Sequence, residues 1–142
     1  VYLGIAPSDH RNDARFDDTF QVRRLRGVDT RQRTLDVLPP PQVGARVVFC
    51  TRDPASARAS LVRACTELRE QIEREGRAIR AAFYHGCASR NRNVFSGGQQ
   101  SSVELALIRR HLGPVPLIGL YAGSQISAGY VHRYSGVLTA LA

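Results

Sequence analysis

The sequence predicts an α+β fold: a mixed, mostly antiparallel sheet of about six to seven strands with two main helices packed on it. Short apolar or alternating runs are numerous, whereas apolar residues recur at helical spacing in only two segments. Each of these two segments has its own start and stop signals. The chain has 142 residues, of which 43% are hydrophobic and 23% are charged, which is the size and composition of one globular domain.

The first third of the chain is predicted to consist mainly of strands. Residues 20–25 and 33–38 flank a polar turn that begins at Asp29, and this pattern predicts a β-hairpin. The charged segment 8–18 has no periodicity and is predicted to be a surface loop. The other strands predicted in this part are 1–6 and 45–50.

The first helix is predicted to begin after Asp53. The Asp53 carboxylate can accept hydrogen bonds from the first turn, and Pro54 takes the first helical position, where its missing N–H costs little. Gly76 is predicted to end the helix. One apolar stripe runs along it at helical spacing: Leu61, Cys65, Leu68 and Ile72.

The second half alternates strands with one more helix. Residues 79–85 are largely apolar and predict a central strand, whereas residues 90–98 are rich in turn formers and predict a loop. Ser101 and Glu104 have the spacing of a capping box, which predicts the start of the second helix. The last two predicted strands are 116–121 and 130–141.

The charge and cysteine content argue against several classes of protein. The net charge is +8 and all 20 basic residues are arginine, but they occur singly or in pairs, which favours a solvated basic surface over a nucleic-acid interface. No apolar run approaches the roughly 20 residues that span a bilayer, so no membrane partner is expected. The three cysteines form neither a disulfide framework nor a zinc motif and suit a reducing cytoplasm.

The two halves of the chain differ in charge. Residues 1–76 contain 13 arginines and 11 acids, for a net charge of +2. Residues 77–142 contain 7 arginines and Glu104 as the single acid, for a net charge of +6. This asymmetry favours an anionic ligand in the second half.

The candidate site lies where two predicted strands end. If strands 79–85 and 116–121 are neighbours, their loops meet near the start of the second helix. Arg90 in the first loop carries a planar guanidinium that can bind a carboxylate through two parallel hydrogen bonds. Alternatively, Arg90 forms a structural ion pair with Glu104, and this pair could also orient Arg90 toward a ligand. The other predicted ligand contacts are Cys87, Ser89, Tyr121, Ser124, Gln125 and His85.

Several of these residues also have simpler interpretations. Cys87 would need a nearby base to act as a nucleophile, and His85 is the nearest candidate, two residues earlier in the strand. Without an orienting acid, Cys87 is expected to line the pocket or the core. Ser124 and Gln125 could equally form a turn, and Tyr121 could simply fill the core. His85 or His132 could be an axial haem ligand.

These segments together resemble the C-terminal part of the FIST sensory domain, over nearly the whole chain. The matching segments are Tyr2–Ala6, Leu25–Asp29, Val48–Asp53, Cys87–Arg90, Glu104, Pro116–Tyr121, His132 and Tyr134. One position departs from the family pattern: Ser124–Gln125 stands where the family typically has Gly-Glu. Gln125 therefore lacks the carboxylate that would face a cationic ligand group, but it can still donate and accept hydrogen bonds.

The resemblance implies a cytoplasmic, non-catalytic sensor that binds a small ligand such as an amino acid and passes the signal to an output protein or domain. It also implies an N-terminal FIST companion domain, so residues 1–142 are expected to be a single domain from a longer protein. Some relatives are described as haem-binding nitric oxide sensors.

We therefore expect a sensory domain that binds a small carboxylate without catalysis and needs no cofactor. A haem-binding nitric oxide sensor and a cysteine-dependent enzyme are the alternatives. Replacing Arg90 with alanine is expected to abolish ligand binding and leave the fold intact.

Overall fold

The computed structural model describes residues 1–6, 20–93, 101–127 and 129–142. These residues form nine short strands in three sheets, with two main helices and one short helix. All strand pairs but one are antiparallel, which confirms the α+β class. The strands are divided among three sheets rather than joined in one. The chain forms two compact units, unit 1 (Val1–Thr51) and unit 2 (Arg52–Ala142).

Unit 1 is a four-stranded antiparallel sheet in the order β3-β2-β1-β4. Its core is formed by Leu3, Ile5 and Val37. The predicted hairpin is confirmed. Its turn is stabilised by Asp29 Oδ1, which accepts hydrogen bonds from the backbone amides of Arg31 and Gln32 at 2.9 and 3.0 Å. The strands are β1 (Tyr2–Ile5), β2 (Gln21–Asp29), β3 (Thr34–Val37) and β4 (Val47–Cys50).

Unit 2 begins with the long helix α1 (Pro54–Arg74), and its predicted signals are confirmed. Asp53 Oδ2 accepts a hydrogen bond from the Ser56 amide at 2.7 Å, which satisfies one free donor of the first turn. Gly76 has a φ of +68°, a conformation that glycine adopts without strain, and it turns the chain out of the helix. Three residues of the apolar stripe are buried: Leu61, Cys65 and Ile72.

A three-stranded sheet in the order β6-β5-β9 is the centre of unit 2. Strand β5 lies between a parallel neighbour, β6, and an antiparallel neighbour, β9, which confirms the predicted central strand. A separate hairpin pairs β7 with β8. The elements are β5 (Ala81–Cys87), α2 (Ala88–Asn93), α3 (Ser101–Leu112), β6 (Leu117–Ala122), β7 (Gln125–Ser127), β8 (Tyr130–His132) and β9 (Gly136–Leu141).

Helices α1 and α3 pack on one face of this sheet. Strand β5 contributes Ala82 and Tyr84, each 1% exposed, to this core. Gly119 of β6 allows close approach of α3, because a Cβ at this position would lie 2.5 Å from a Leu105 methyl carbon. The helices contribute four buried residues: Leu61, Cys65, Ile108 and Leu112.

The structure differs from the sequence prediction in two segments of unit 2. The predicted loop at 90–98 begins within helix α2, because long-range contacts of Ser89 and Arg90 hold the chain in a helical turn. The predicted strand at 130–141 is interrupted between β8 and β9, where Tyr134 has a φ of +67°. The predicted loop at 8–18 and residues 94–100 lie outside the described residues. None of the described helices is long and apolar enough to span a membrane.

Candidate functional site

The predicted site residues lie at and beyond the carboxyl ends of β5 and β6. These strands are parallel, and Cys87 is the register partner of Ala122 at the last position of each. The chain segments that follow them therefore leave the sheet at the same edge, as the sequence predicts. Such an edge, beside the start of a helix, is a frequent place for small-molecule sites.

Arg90 and Glu104 form a buried ion pair that joins α2 to α3. Arg90 donates from Nε and Nη2 to Glu104 Oε1, at 3.0 and 2.9 Å. The Glu104 side chain is 1% exposed and the Arg90 side chain 15% exposed. The structural ion pair considered from the sequence is thus present, and the buried carboxylate depends on Arg90 for its compensating charge.

Tyr121 holds the other oxygen of the same carboxylate. Its hydroxyl donates to Glu104 Oε2 at 2.9 Å, which ties β6 to the Arg90–Glu104 pair. Burial and this hydrogen bond raise the pKa of Tyr121, so the phenol stays protonated and remains a donor. The Glu104 carboxylate is thus held by Arg90 and Tyr121, which lie on other elements of unit 2. The capping-box pattern, by contrast, predicts only a local contact at the start of α3.

Tyr84 lies beside this network, close to the Glu104 carboxylate. Its ring meets that of Tyr121 edge-on, with centroids 6.3 Å apart. Its hydroxyl is buried and has no hydrogen-bond partner among the described residues. Burial, followed by the charge of Glu104, raises the pKa of Tyr84. Gly86 accommodates the rings, because a Cβ there would lie 2.5 Å from Tyr121 Cε1.

The Cys87 thiol is part of a second hydrogen-bonded chain. Cys87 Sγ lies 2.9 Å from Ser89 Oγ and 3.7 Å from the carbonyl oxygen of Gly123. Arg52 donates to Ser89 O at 2.9 Å and to Ser89 Oγ at 3.0 Å. Because Ser89 Oγ accepts from Arg52, its own proton is available to Cys87 Sγ.

This chain changes the acidity of the thiol. Burial alone raises the pKa of Cys87, but the hydrogen bonds from Ser89, the backbone hydrogen bond from Tyr134 and the charge of Arg52 outweigh it, and the net pKa is lowered. The Arg52 guanidinium also stacks over the Tyr134 ring, 4.7 Å from its centroid. Sequence reasoning did not single out Arg52, because it lies 37 residues from Ser89 and no local pattern connects them.

Within the described part of the chain, Gln125, Ser124 and His85 make no hydrogen bond to these two networks. Gln125 is 4% exposed and lies within hydrogen-bonding distance of Ala122 O and Ser135 Oγ, which fits the turn interpretation. Ser124 is exposed. His85 is exposed on β5, and His132 Nε2 lies 3.1 Å from Ser127 O. A surface hollow on α1, lined by Glu70, Glu73 and Arg74, contains none of the predicted residues.

The chain is similar to two curated proteins and matches one family model. Two curated relatives are each 29% identical over 126 residues: "Uncharacterized protein Mb0898c" of Mycobacterium bovis and "Uncharacterized protein MT0897" of Mycobacterium tuberculosis. Each match covers 89% of this chain but 31% of the relative, so the chain spans less than a third of their length. No solved structure matches the chain.

The family model of the FIST C domain matches residues 2–128, which include every residue of the two networks except Tyr134. The match thus covers most of unit 2 and all of unit 1 except Val1. The protein therefore belongs to the FIST C family, a family of sensory domains found in signalling proteins.

Proposed function

We propose that this domain senses a small molecule with a carboxylate group, such as an amino acid, at the end of β5. Arg90 is the central contact, with Cys87, Ser89 and the segment Ser124–Gln125 around it. The observation that carries the proposal is the geometry of Arg90: a buried carboxylate orients its charge, and part of its guanidinium has no hydrogen-bond partner among the described residues.

The hydrogen bonds of Arg90 leave donors available for a ligand. A guanidinium has five N–H groups, and Arg90 uses two of them, on Nε and Nη2, for Glu104. Its Nη1 donates to no described residue, and the side chain is 15% exposed. Parallel donors on one guanidinium edge match the two oxygens of a carboxylate. The remaining donors of Arg90 therefore suit a carboxylate ligand.

The surrounding charge also favours an anion. Residues 77–142 contain seven arginines, and their single acid, Glu104, is buried and paired. Arg52 adds another positive charge beside Ser89. A carboxylate that approaches this edge of the sheet would meet no exposed acid from residues 77–142.

The proposed output is a shift between two arrangements of α2. A ligand that prefers one position of Arg90 stabilises that arrangement, and an attached signalling protein or domain reads the change. We propose that residues 1–142 act as one domain of a longer cytoplasmic protein with an N-terminal FIST companion domain. The three free thiols agree with a reducing compartment.

The proposal does not include catalysis. The groups that contact Cys87 Sγ in the described part of the chain include the Ser89 hydroxyl, the Gly123 carbonyl and the Tyr134 backbone, and none of these is a general base at neutral pH. The lowered pKa of Cys87 is therefore proposed to stabilise the site rather than to serve turnover. Steady hydrolysis of a model ester or amide that is lost in Cys87→Ala would contradict this part of the proposal.

The test is a titration of the 142-residue chain with the standard L-amino acids and with acetate and succinate, measured by calorimetry and thermal shift. The alanine variant expected from the sequence to preserve the fold is unsuitable, because it would leave the buried Glu104 carboxylate without compensating charge. Arg90→Lys retains the charge and removes the planar fork, so at least one carboxylate should bind the wild type and bind this variant about tenfold more weakly.

Arg110→Lys is the matched control, because Arg110 is an exposed arginine on α3. It should bind the same ligand as tightly as the wild type. Equal affinity of the wild type and Arg90→Lys for every carboxylate that binds would remove Arg90 from the proposal. Failure of all the carboxylates to bind would remove this class of ligand.

Haem binding is a second candidate, and one observation favours it. His85 is exposed at the centre of a sheet face, with Leu120 and Val137 as its register partners, so an imidazole is available within apolar surroundings. His132 fits less well, because its Nε2 is within hydrogen-bonding distance of Ser127 O. Bound haem would supply an iron that takes up a diatomic gas. Titration with haemin should give a Soret band that His85→Ala abolishes and His132→Ala retains.

A further inference from the structure

One face of the β6-β5-β9 sheet is covered by helices, and the other is exposed. One face packs against α1 and α3, as described above. The other, here called the open face, carries side chains from alternate positions of all three strands. Ile118 is 61% exposed, Leu141 51% and Leu120 46%. The open face consists of Phe83, His85, Ile118, Leu120, Val137, Thr139 and Leu141.

These side chains form a continuous surface, because the strand registers place them side by side. Phe83 has Ile118 and Thr139 as its partners on the two neighbouring strands. His85 has Leu120 and Val137 in the same positions, two residues further along β5. The open face is therefore two full rows of mainly apolar side chains, with Leu141 beyond them.

The strands that form the open face have the apolar sequence pattern of strands that are buried on both faces of a sheet. Parallel strands such as β5 and β6 occur mainly in sheets with helices on both faces, and they read as continuous apolar runs. Residues 81–84 and 117–121 fit this pattern, with apolar side chains at outward as well as inward positions. An exposed apolar surface of this kind is typical of a protein interface.

The charge around the open face limits what can cover it. Residues 77–142 expose arginines but no acid, since Glu104 is buried. Arg80, which precedes β5, and Arg133, which precedes β9, are both exposed. A second copy would bring the same positive charges together, whereas acidic groups on a partner would complement them.

We infer that the open face binds an amphipathic α-helix of a protein partner, with its apolar stripe on the sheet and acidic residues along its flanks. The apolar stripe packs across the two rows, as α1 and α3 do on the opposite face. The acidic flanks lie toward the exposed arginines and orient the helix. This surface is separate from the Arg90 site, so it provides a route by which unit 2 contacts an output protein.

The test uses a fluorescent peptide of about 18 residues with leucines at helical spacing and glutamates on both flanks. Its anisotropy is measured with the 142-residue chain, together with a twin that carries lysines in place of the glutamates. The glutamate peptide should bind at least about tenfold more tightly than the lysine twin, and salt should weaken it, because screening reduces the attraction between charges.

The chain offers a matched pair of variants. Ile118→Thr with Leu120→Thr removes apolar surface from β6 and keeps residues that favour strands, so affinity for the glutamate peptide should fall about tenfold or more. Val28→Thr with Leu35→Thr is the control, because Val28 and Leu35 are 60% and 45% exposed neighbours in unit 1. The control should bind like the wild type, and thermal unfolding shows that both variants fold.

Each of the opposite results would overturn the inference. Equal loss of affinity in both variants would show that any exposed apolar pair suffices, and equal binding of the lysine twin would remove the acidic partner. Dimers that disappear in the Ile118→Thr, Leu120→Thr variant would assign the open face to a second copy. Stronger binding to phosphatidylglycerol vesicles than to the peptide would assign it to a membrane surface, and a haemin Soret band lost in that variant would assign it to haem.

Discussion

An exposed arginine–carboxylate ion pair in unit 1 and a buried one in unit 2 have very different surroundings. In unit 1, Arg26 Nε lies 3.6 Å from Asp36 Oδ2, and both side chains are 55% exposed. In unit 2, Arg90 contacts Glu104 at 2.9 Å, with exposures of 15% and 1%. Water screens the charges of the Arg26–Asp36 pair, whereas the Arg90–Glu104 pair is largely removed from water. The same two chemical groups are therefore exposed to water in the Arg26–Asp36 pair and part of the protein interior in the Arg90–Glu104 pair.

Replacing the arginine of each pair with alanine should give the largest difference in stability between the two pairs. Arg90→Ala leaves the Glu104 carboxylate buried without its partner and should reduce the free energy of unfolding by about 3–5 kcal/mol. Arg26→Ala should cost less than about 1 kcal/mol, because exposed pairs contribute little. Urea unfolding measures both. The double variant Arg90→Leu, Glu104→Leu should recover much of the loss, and similar costs for the two single variants would contradict the comparison.

Glycine replacements should show the same contrast in packing. A Cβ on Gly136 would overlap the Tyr84 hydroxyl, so Gly136→Ala should cost about 1–3 kcal/mol through strain in a tightly packed region. A Cβ on Gly27 in β2 would lie 3.8 Å from its nearest neighbour, Asp36 Cβ. Gly27→Ala should therefore leave the midpoint of thermal unfolding unchanged or slightly raised. A larger cost at Gly27 than at Gly136 would refute this assignment.

The two tyrosines near Glu104 allow a finer comparison within unit 2. Tyr121→Phe removes a donor from a buried carboxylate and should cost about 1.5 kcal/mol. Tyr84→Phe removes a buried hydroxyl that has no partner among the described residues, so it should be neutral or stabilising. Chemical denaturation of the two variants measures the difference. If Tyr84→Phe is the more destabilising, its hydroxyl must be bonded in solution.

A pH dependence of stability should also arise in the core of unit 2. Burial raises the pKa of Cys65 from 9.0 to about 11. The folded state then holds a proton that the unfolded state has released, so stability from this thiol is complete below pH 9 and is lost as the pH rises toward 11. Unfolding free energies of Cys65→Ala should therefore fall less steeply over this range than those of the wild type. Parallel curves for the two proteins would exclude this source.

Local signals in the sequence predicted the elements that depend on neighbouring residues. Asp53, Pro54 and Gly76 defined α1 because capping and helix termination act over a few residues. The hairpin of unit 1 was predictable from alternation around Asp29 for the same reason. The apolar run at residues 79–85 likewise identified the central strand of unit 2.

The parts that the sequence did not predict depend on distant contacts. Helix α2 is held by Arg52 and Glu104, which lie 37 and 14 residues from their partners Ser89 and Arg90. No residue near Tyr134 predicts its positive φ or the interruption between β8 and β9. In the site, Arg90 and Glu104 were predictable as a pair from charge, but the Tyr121 contact and the Arg52–Ser89–Cys87 chain become visible only once the sheet is formed.

Glu104 is both the single acid of residues 77–142 and one of the least exposed side chains of the protein. The arginines in this part of the chain consequently have no carboxylate of their own segment to neutralise them at the surface. Arg77 is paired with Glu75 of the preceding segment, and dissolved anions will gather around the other exposed arginines of residues 77–142. The identity of the buffer ion is therefore part of the chemistry of this protein, and phosphate and chloride solutions should not be treated as interchangeable.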